Sequence, residues 1–176
     1  MGLVFSVGNP TDAFESPFAE QVRDLLTAHF STSVVVDSKL EPWYSNEISW
    51  SGWQSLQERA AEVVDAKRLT HLLSMKAWRG CYVPANTEPW SIDIETEGWS
   101  EPLALAVASL SALVAELEAV GLALDLSIDD AGLRDLAAKY QDDELIDADM
   151  EIQTYAQLLL GAHEAQRRRQ PLWVVK

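Results

Sequence analysis

Three histidines and one cysteine are the side chains of this sequence best suited to proton transfer, nucleophilic attack or metal binding. The histidines are His29, His71 and His163, and Cys81 is the single thiol. No pair of histidines has the spacing of a zinc motif, and each lies on or near an apolar face, so we predict structural histidines and no bound metal. Cys81 and His71 could form a thiolate–imidazole pair, but Cys81 lies in a predicted buried strand, where cysteines are usually inert.

Glycine-rich and nucleophile motifs are the other common signatures of catalysis. The sequence contains no dinucleotide-binding glycine pattern, no phosphate-binding loop and no G-x-S-x-G nucleophile turn. We therefore predict that the protein is not an enzyme, has no catalytic residues and uses no cofactor.

Carboxylates are the strongest polar signal. The chain has 28 acidic and 13 basic residues and a formal net charge of -15, and residues 88–151 alone hold 17 of the acids and two of the bases. This charge repels nucleic acid and anionic membranes and favours a basic protein partner, although solubility alone could explain it. The predicted partner-binding acids are those of the densest stretch: Asp142, Asp143, Glu144, Asp147 and Asp149.

Tryptophans are the second unusual feature, because six of the seven fall between Trp43 and Trp99. From Glu41 to Gly52 the regular pattern is broken by Pro42, Asn46 and Gly52, which predicts a loop there. Aromatic side chains on such a loop are typical interface anchors, although the loop could also pack back onto its own helices. The predicted aromatic contacts with a partner are Trp43, Tyr44, Trp50 and Trp53.

The apolar pattern predicts the elements that must position these residues. Strands are predicted at residues 3–7, 34–36, 80–83, 90–94 and 172–175, and helices at about 12–30, 54–67, 100–120, 127–140 and from Asp147 to the arginines at 167–169. The helix after Ser100 should be the core helix, because its apolar stripe is flanked by alanines. The ambiguous segment 70–75 could be a strand or a helix.

These elements predict one α+β domain over residues 1–176, with a small, mostly antiparallel sheet from the first half packed against helices from the second half. A chain of this length can bury about 70% of its unfolded surface without disulfides. Neither a basic leader nor an apolar run of about 20 residues occurs, so we predict a cytoplasmic protein with no membrane contact. The oligomeric state is left open.

An acidic, tryptophan-rich, single domain without an active-site motif resembles the immunity proteins that bacteria make against their own polymorphic toxins. The resemblance implies a non-enzymatic inhibitor that binds a basic toxin domain of nuclease or NAD-hydrolysing type and covers its active site. It supplies no signature motif, so the acidic and aromatic residues above are candidate contacts from their chemistry alone. Two alternatives are a small-molecule-binding or regulatory domain with a tryptophan-lined pocket, and an acidic secretion chaperone or adaptor.

Overall fold

A seven-stranded sheet forms the centre of the computed structural model, which describes residues 2–30, 34–35, 38–76, 79–95, 102–139 and 147–175. The strand order is β2-β1-β7-β4-β6-β5, and β3 pairs with the other end of β1. Among the described strands, only β4 and β6 run parallel. The strands are β1 (Gly2–Val7), β2 (Trp43–Tyr44), β3 (Ile48–Ser49), β4 (Gly80–Val83), β5 (Trp90–Ile94), β6 (Leu103–Ser109) and β7 (Leu172–Val175).

Helices cover both faces of the sheet. Those found in the described ranges are α1 (Pro10–Ala13), α2 (Phe18–Phe30), α3 (Trp50–Val63), α4 (Thr70–Ser74), α5 (Leu110–Ala123), α6 (Asp130–Lys139) and α7 (Asp147–Arg168), with a 3-10 turn at Ala66–Arg68. Helices α3, α5 and α7 pack on one face, and α2 packs on the other. The α+β class and the mostly antiparallel sheet are therefore as predicted.

Alternation along the strands separates the core into two layers, because successive strand residues face opposite sides of a sheet. Phe5 and Tyr82 lie on the side of α3, α5 and α7, whereas Cys81, Val107 and Trp173 lie on the side of α2. Helix α7 is buried continuously over residues 153–159 and contacts α3, α5, α6 and β1. Helix α7 is therefore a central helix that the prediction did not single out. The predicted core helix is confirmed from Leu110 on, because Leu110, Leu113 and Leu117 of α5 are buried in the main core.

The structure of segment 103–109 differs from the helix predicted there. It was expected to open a helix, but it forms strand β6, and α5 begins only at Leu110. Leu105 and Val107 face the α2 layer, and Ala106 and Ala108 face the other layer. A strand buried on both faces loses its polar alternation, so an alanine-rich run of this kind resembles a helix in sequence.

Other predicted elements meet different outcomes. The strands at 3–7, 80–83, 90–94 and 172–175 are confirmed, and the ambiguous segment 70–75 contains helix α4. The predicted strand at 34–36 is wrong where it can be judged, because Val34 and Val35 form a bend; Val36 and Ser100 lie outside the described residues. Within the described ranges, no helix has the length and apolar character needed to cross a membrane.

Candidate functional site

The first turn of α3 is built by a capping serine that the sequence prediction overlooked. The Ser49 hydroxyl accepts a hydrogen bond from the Gly52 N–H at 2.9 Å. A serine at the N-cap position satisfies one of the backbone N–H groups that have no partner within the helix. Helix α3 therefore begins at Trp50 rather than at Gln54, which places Trp50 and Trp53 on a helix and corrects the prediction that they lie on a loop.

The start of α7 packs closely against this first turn. The Ser49 hydroxyl lies 3.2 Å from the Met150 sulfur. A Cβ atom added to Gly52 would lie 2.9 Å from the Met150 carbonyl oxygen and 2.8 Å from the Thr154 hydroxyl. Glycine is therefore required for this approach of the two helices. The contact joins the first turn of α3 to the beginning of α7, where the predicted acidic residues occur in the sequence.

The predicted acidic residues are only partly covered by the structure. Asp142, Asp143 and Glu144 lie outside the described residues. Asp147 and Asp149 belong to the first turn of α7, although their side chains are outside the described part of the chain. The next acidic residue along α7 is Glu151, and its side chain is described. Burial raises the pKa of Glu151, attraction to Arg59 lowers it, and repulsion from Glu62 raises it.

Trp43 and Tyr44 occupy a different part of the surface, on edge strand β2. Tyr44 is 49% exposed, and its hydroxyl donates to the carbonyl of Asp12 at 3.1 Å. The Trp43 ring packs over Gly161, where an added Cβ would lie 2.9 Å from the ring. Gly161 follows Met150 by eleven residues, or about 16 Å along α7. The structure therefore does not bring Trp43 and Tyr44 into the same patch as Trp50.

Trp53 belongs to the core. Its side chain is 1% exposed, its ring centroid lies 5.7 Å from that of Phe5, and its indole N–H donates to the Met75 carbonyl at 3.2 Å. Such a residue cannot contact a partner unless the domain opens. Trp43, Trp50 and Trp53 thus have three different surroundings, and they do not line one common pocket.

A groove between α3 and α4 contains the surface of Trp50. Its volume is about 470 Å³. The α3 wall carries Trp50, Gln54 and Glu58, and the opposite wall carries Leu73 and Lys76. The residues of the α3 wall recur every four positions, so the groove follows one face of the helix. The sequence prediction missed Glu58 and Leu73, but the spacing from Trp50 would have indicated Glu58 once the helix start at Ser49 was recognised.

The floor of the groove is held by amide hydrogen bonds. The Gln57 side-chain amide donates to the carbonyl of Leu72 at 2.7 Å and to that of Met75 at 3.2 Å. It therefore ties α3 to α4 and to the residue that follows α4. These two hydrogen bonds fix the distance between the two walls of the groove.

A buried glutamate holds the other end of α4. Glu116 of α5 accepts the backbone N–H groups of His71 at 3.0 Å and Leu72 at 2.7 Å. Burial raises the pKa of Glu116, and the two backbone hydrogen bonds oppose this rise. The carboxylate takes the place of an N-cap for a short helix whose preceding residue, Leu69, provides none. Helix α4 is thus anchored to both α3 and α5.

The candidate cysteine–histidine pair is not formed. The Nδ1 atom of His71 accepts the backbone N–H of Ser109 at 3.1 Å, and the His71 carbonyl accepts the Tyr82 hydroxyl at 3.4 Å. Tyr82 and Cys81 are adjacent on β4 and face opposite sides of the sheet. Burial raises the pKa of the Cys81 thiol, which disfavours a thiolate. Cys81 and His71 therefore have separate structural surroundings.

His163 belongs to a charged cluster that joins α6 to α7. Asp130 receives hydrogen bonds from His163 at 2.7 Å and from Arg167 at 2.6 Å. Burial acts to raise the pKa of Asp130, but these bonds and charges outweigh it and the pKa is lowered. Among the described residues, no group of three or more His, Cys, Asp or Glu side chains could hold a metal ion.

Two further cavities have different surroundings. One of about 380 Å³ is lined by Phe14, Phe18 and Arg79, and another of about 360 Å³ lies at the start of α5 beside Arg169. Neither contains a predicted partner-binding residue.

Searches of protein-family models, curated proteins and solved structures found no match to this chain.

Proposed function

We propose that this protein is a bacterial immunity protein, a cytoplasmic inhibitor that binds a basic toxin domain and covers its active site. The observation that carries the proposal is the charge: the net value is -15, and residues 88–151 hold 17 acids against two bases. Such a field attracts a cationic partner and accelerates encounter with it. A toxin whose site binds anionic substrates, such as a nuclease or an NAD-hydrolysing enzyme, presents the complementary surface.

The junction of α3 and α7 supports this proposal. It joins the first turn of α3, which carries Trp50, to the start of α7, and the densest acidic stretch precedes that start in the sequence. In the proposed interface, Trp50 would anchor the partner after contact, and the acids would attract it before contact. Trp53 is removed from the proposed interface because it is buried, and Trp43 and Tyr44 form at most a separate contact.

A regulatory domain with a tryptophan-lined pocket receives less support. That alternative needs several tryptophans in one cavity wall, whereas Trp43 packs on Gly161 and Trp53 lies in the core. Of the tryptophans that the structure describes, Trp50 alone lines the α3–α4 groove. The secretion-chaperone alternative predicts binding to an export substrate rather than neutralisation of a toxin. A toxicity assay therefore separates it from the proposal.

Co-expression with the products of the neighbouring reading frames tests the proposed function. We expect one of these products to be basic and to arrest growth of a bacterial host, and we expect this protein to restore growth by forming a stoichiometric complex. Size-exclusion chromatography of the purified pair measures the complex, and the toxin's activity with increasing inhibitor measures the neutralisation. If neither flanking gene product is bound and neutralised, the proposal is refuted.

Binding kinetics with that toxin then separate the two parts of the interface. Changing Asp142 and Asp143 to Asn and Glu144 to Gln should slow association, and added salt should have the same effect, because long-range attraction acts before contact. Trp50→Ala should instead accelerate dissociation. Melting curves control for folding. An association rate that is insensitive both to salt and to these three changes would show that the acids serve only solubility.

A further inference from the structure

We infer that the groove between α3 and α4 binds an amphipathic helix of the protein partner, and that this helix carries lysine or arginine residues. The inference rests on the proposed function and specifies which surface the partner enters. The groove runs along α3 from Trp50 to Ala61, which is about 16 Å for eleven residues. This length matches about three turns of a bound helix, and helix-in-groove binding uses apolar anchors at such spacing.

The apolar part of the groove provides the anchor. Trp50, Ala61 and Leu73 line it, and Trp50 and Leu73 also pack on the main core. Their exposed surface is therefore backed by rigid packing. The two hydrogen bonds of Gln57 hold the α4 side in place. A groove that is already formed costs less ordering on binding, which favours affinity.

The charge of the groove edge selects a cationic partner. Glu58 is exposed on the α3 wall and forms no hydrogen bond or ion pair with the residues that the structure describes. The cation next to it in sequence, Arg59, is already paired with Glu62 at 2.8 Å. Glu151 lies on the α7 side of α3, where Arg59 attracts it and Glu62 repels it. A cation of the incoming helix can therefore pair with Glu58, and the net charge of -15 favours its approach.

Lys76 sets the orientation of the incoming helix. It is exposed on the wall opposite Glu58. A helix that carries its cations on one edge would direct that edge towards α3 and away from α4. Repulsion of this kind adds specificity because it penalises the reversed arrangement.

A pair of designed peptides tests the inference with the full chain. Both are 14-residue amphipathic helices with the same leucine face, and the polar face carries lysines in one and glutamates in the other. We expect the lysine peptide alone to bind, and we expect the largest amide chemical-shift changes in residues 50–61 and 72–76. Glu58→Lys should weaken this binding by about three- to tenfold, as expected for reversing one exposed charge pair.

Asp24→Lys is the matched control, because Asp24 is exposed on α2 at the other face of the sheet and its replacement changes the net charge equally. It should weaken binding by less than about twofold at moderate salt. Equal losses from the two variants, shifts centred elsewhere, equal binding of the glutamate peptide, or no binding of either peptide would each overturn the groove assignment. The proposed function would then still be decided by the co-expression assay, so the two failures are distinguishable.

Discussion

Replacing Gly52 with alanine sets two known effects of opposite sign against each other. Alanine favours a helix over glycine by about 0.8–1 kcal/mol in an interior position. The added Cβ, however, would lie 2.9 Å from the Met150 carbonyl oxygen and 2.8 Å from the Thr154 hydroxyl. The carbonyl belongs to the backbone of α7, so one helix must move, and forced overpacking of this kind costs about 1–3 kcal/mol. We expect Gly52→Ala to lower the free energy of unfolding by up to about 2 kcal/mol after the helix propensity is subtracted.

Urea unfolding followed by circular dichroism measures this change. Gln54→Ala is the control, because Gln54 is exposed on α3 away from α7 and its replacement should change stability by no more than about 0.5 kcal/mol. Thr154→Ala removes one of the two close contacts, so in the double variant the alanine at position 52 should cost less by about 0.5–1 kcal/mol. Stabilisation by Gly52→Ala of about 1 kcal/mol, the propensity effect alone, would refute the close approach of α3 and α7.

Three further predictions concern the core and the carboxylates of Glu116 and Asp130. Leu113 is fully buried in α5, so Leu113→Ala should destabilise the fold by about 2–5 kcal/mol, and an unchanged melting temperature would mean that the core is misplaced. The raised pKa of Glu116 implies that its contribution is fully present below the unfolded value of about 4.3 and is lost as pH rises through the folded value. The stability advantage of the wild type over Glu116→Gln should therefore shrink between pH 3 and pH 8 in denaturant titrations, and a constant difference would contradict this sign. The lowered pKa of Asp130 has the opposite consequence: its stabilisation is present above about pH 4 and is lost as pH falls through the folded value. Asp130→Asn should cost about 1 kcal/mol at pH 7, and the same denaturant titrations should show this cost vanishing in acid, because the bonds from His163 and Arg167 need the carboxylate. A loss that persists below pH 2 would indicate a packing effect instead.

Local signals in the sequence were sufficient for much of the fold. Strand β1 ends at the turn residues that follow Val7, β5 shows the alternation of a half-exposed strand, and the break at Pro171 separates α7 from β7. Each of these signals depends on neighbouring residues only. For this reason the α+β class could be predicted from the sequence.

The failures occurred where distant residues decide the outcome. Segment 103–109 pairs with β4 on one side and with β5 on the other, and this pairing overrides the helix propensity of its alanines. Trp53 was predicted to be at the surface because glycine and proline surround it in sequence, but Gly52 serves a close contact with α7 rather than a turn. The groove depends on α4 being anchored by Glu116, 45 residues after His71. No local pattern contains this information.

The position of β7 has a consequence for the order in which the protein can assemble during synthesis. Strands β1 and β4 do not touch each other, and β7 lies between them with antiparallel bonds to both. A ribosome that has released residues 1–109 has therefore supplied all other strands, but these remain two separate groups with exposed edges. They can join only after residues 172–175 emerge, with α5, α6 and α7 already outside the exit tunnel. Such late, long-range closure slows folding and leaves sheet edges open to chaperones or to aggregation during translation.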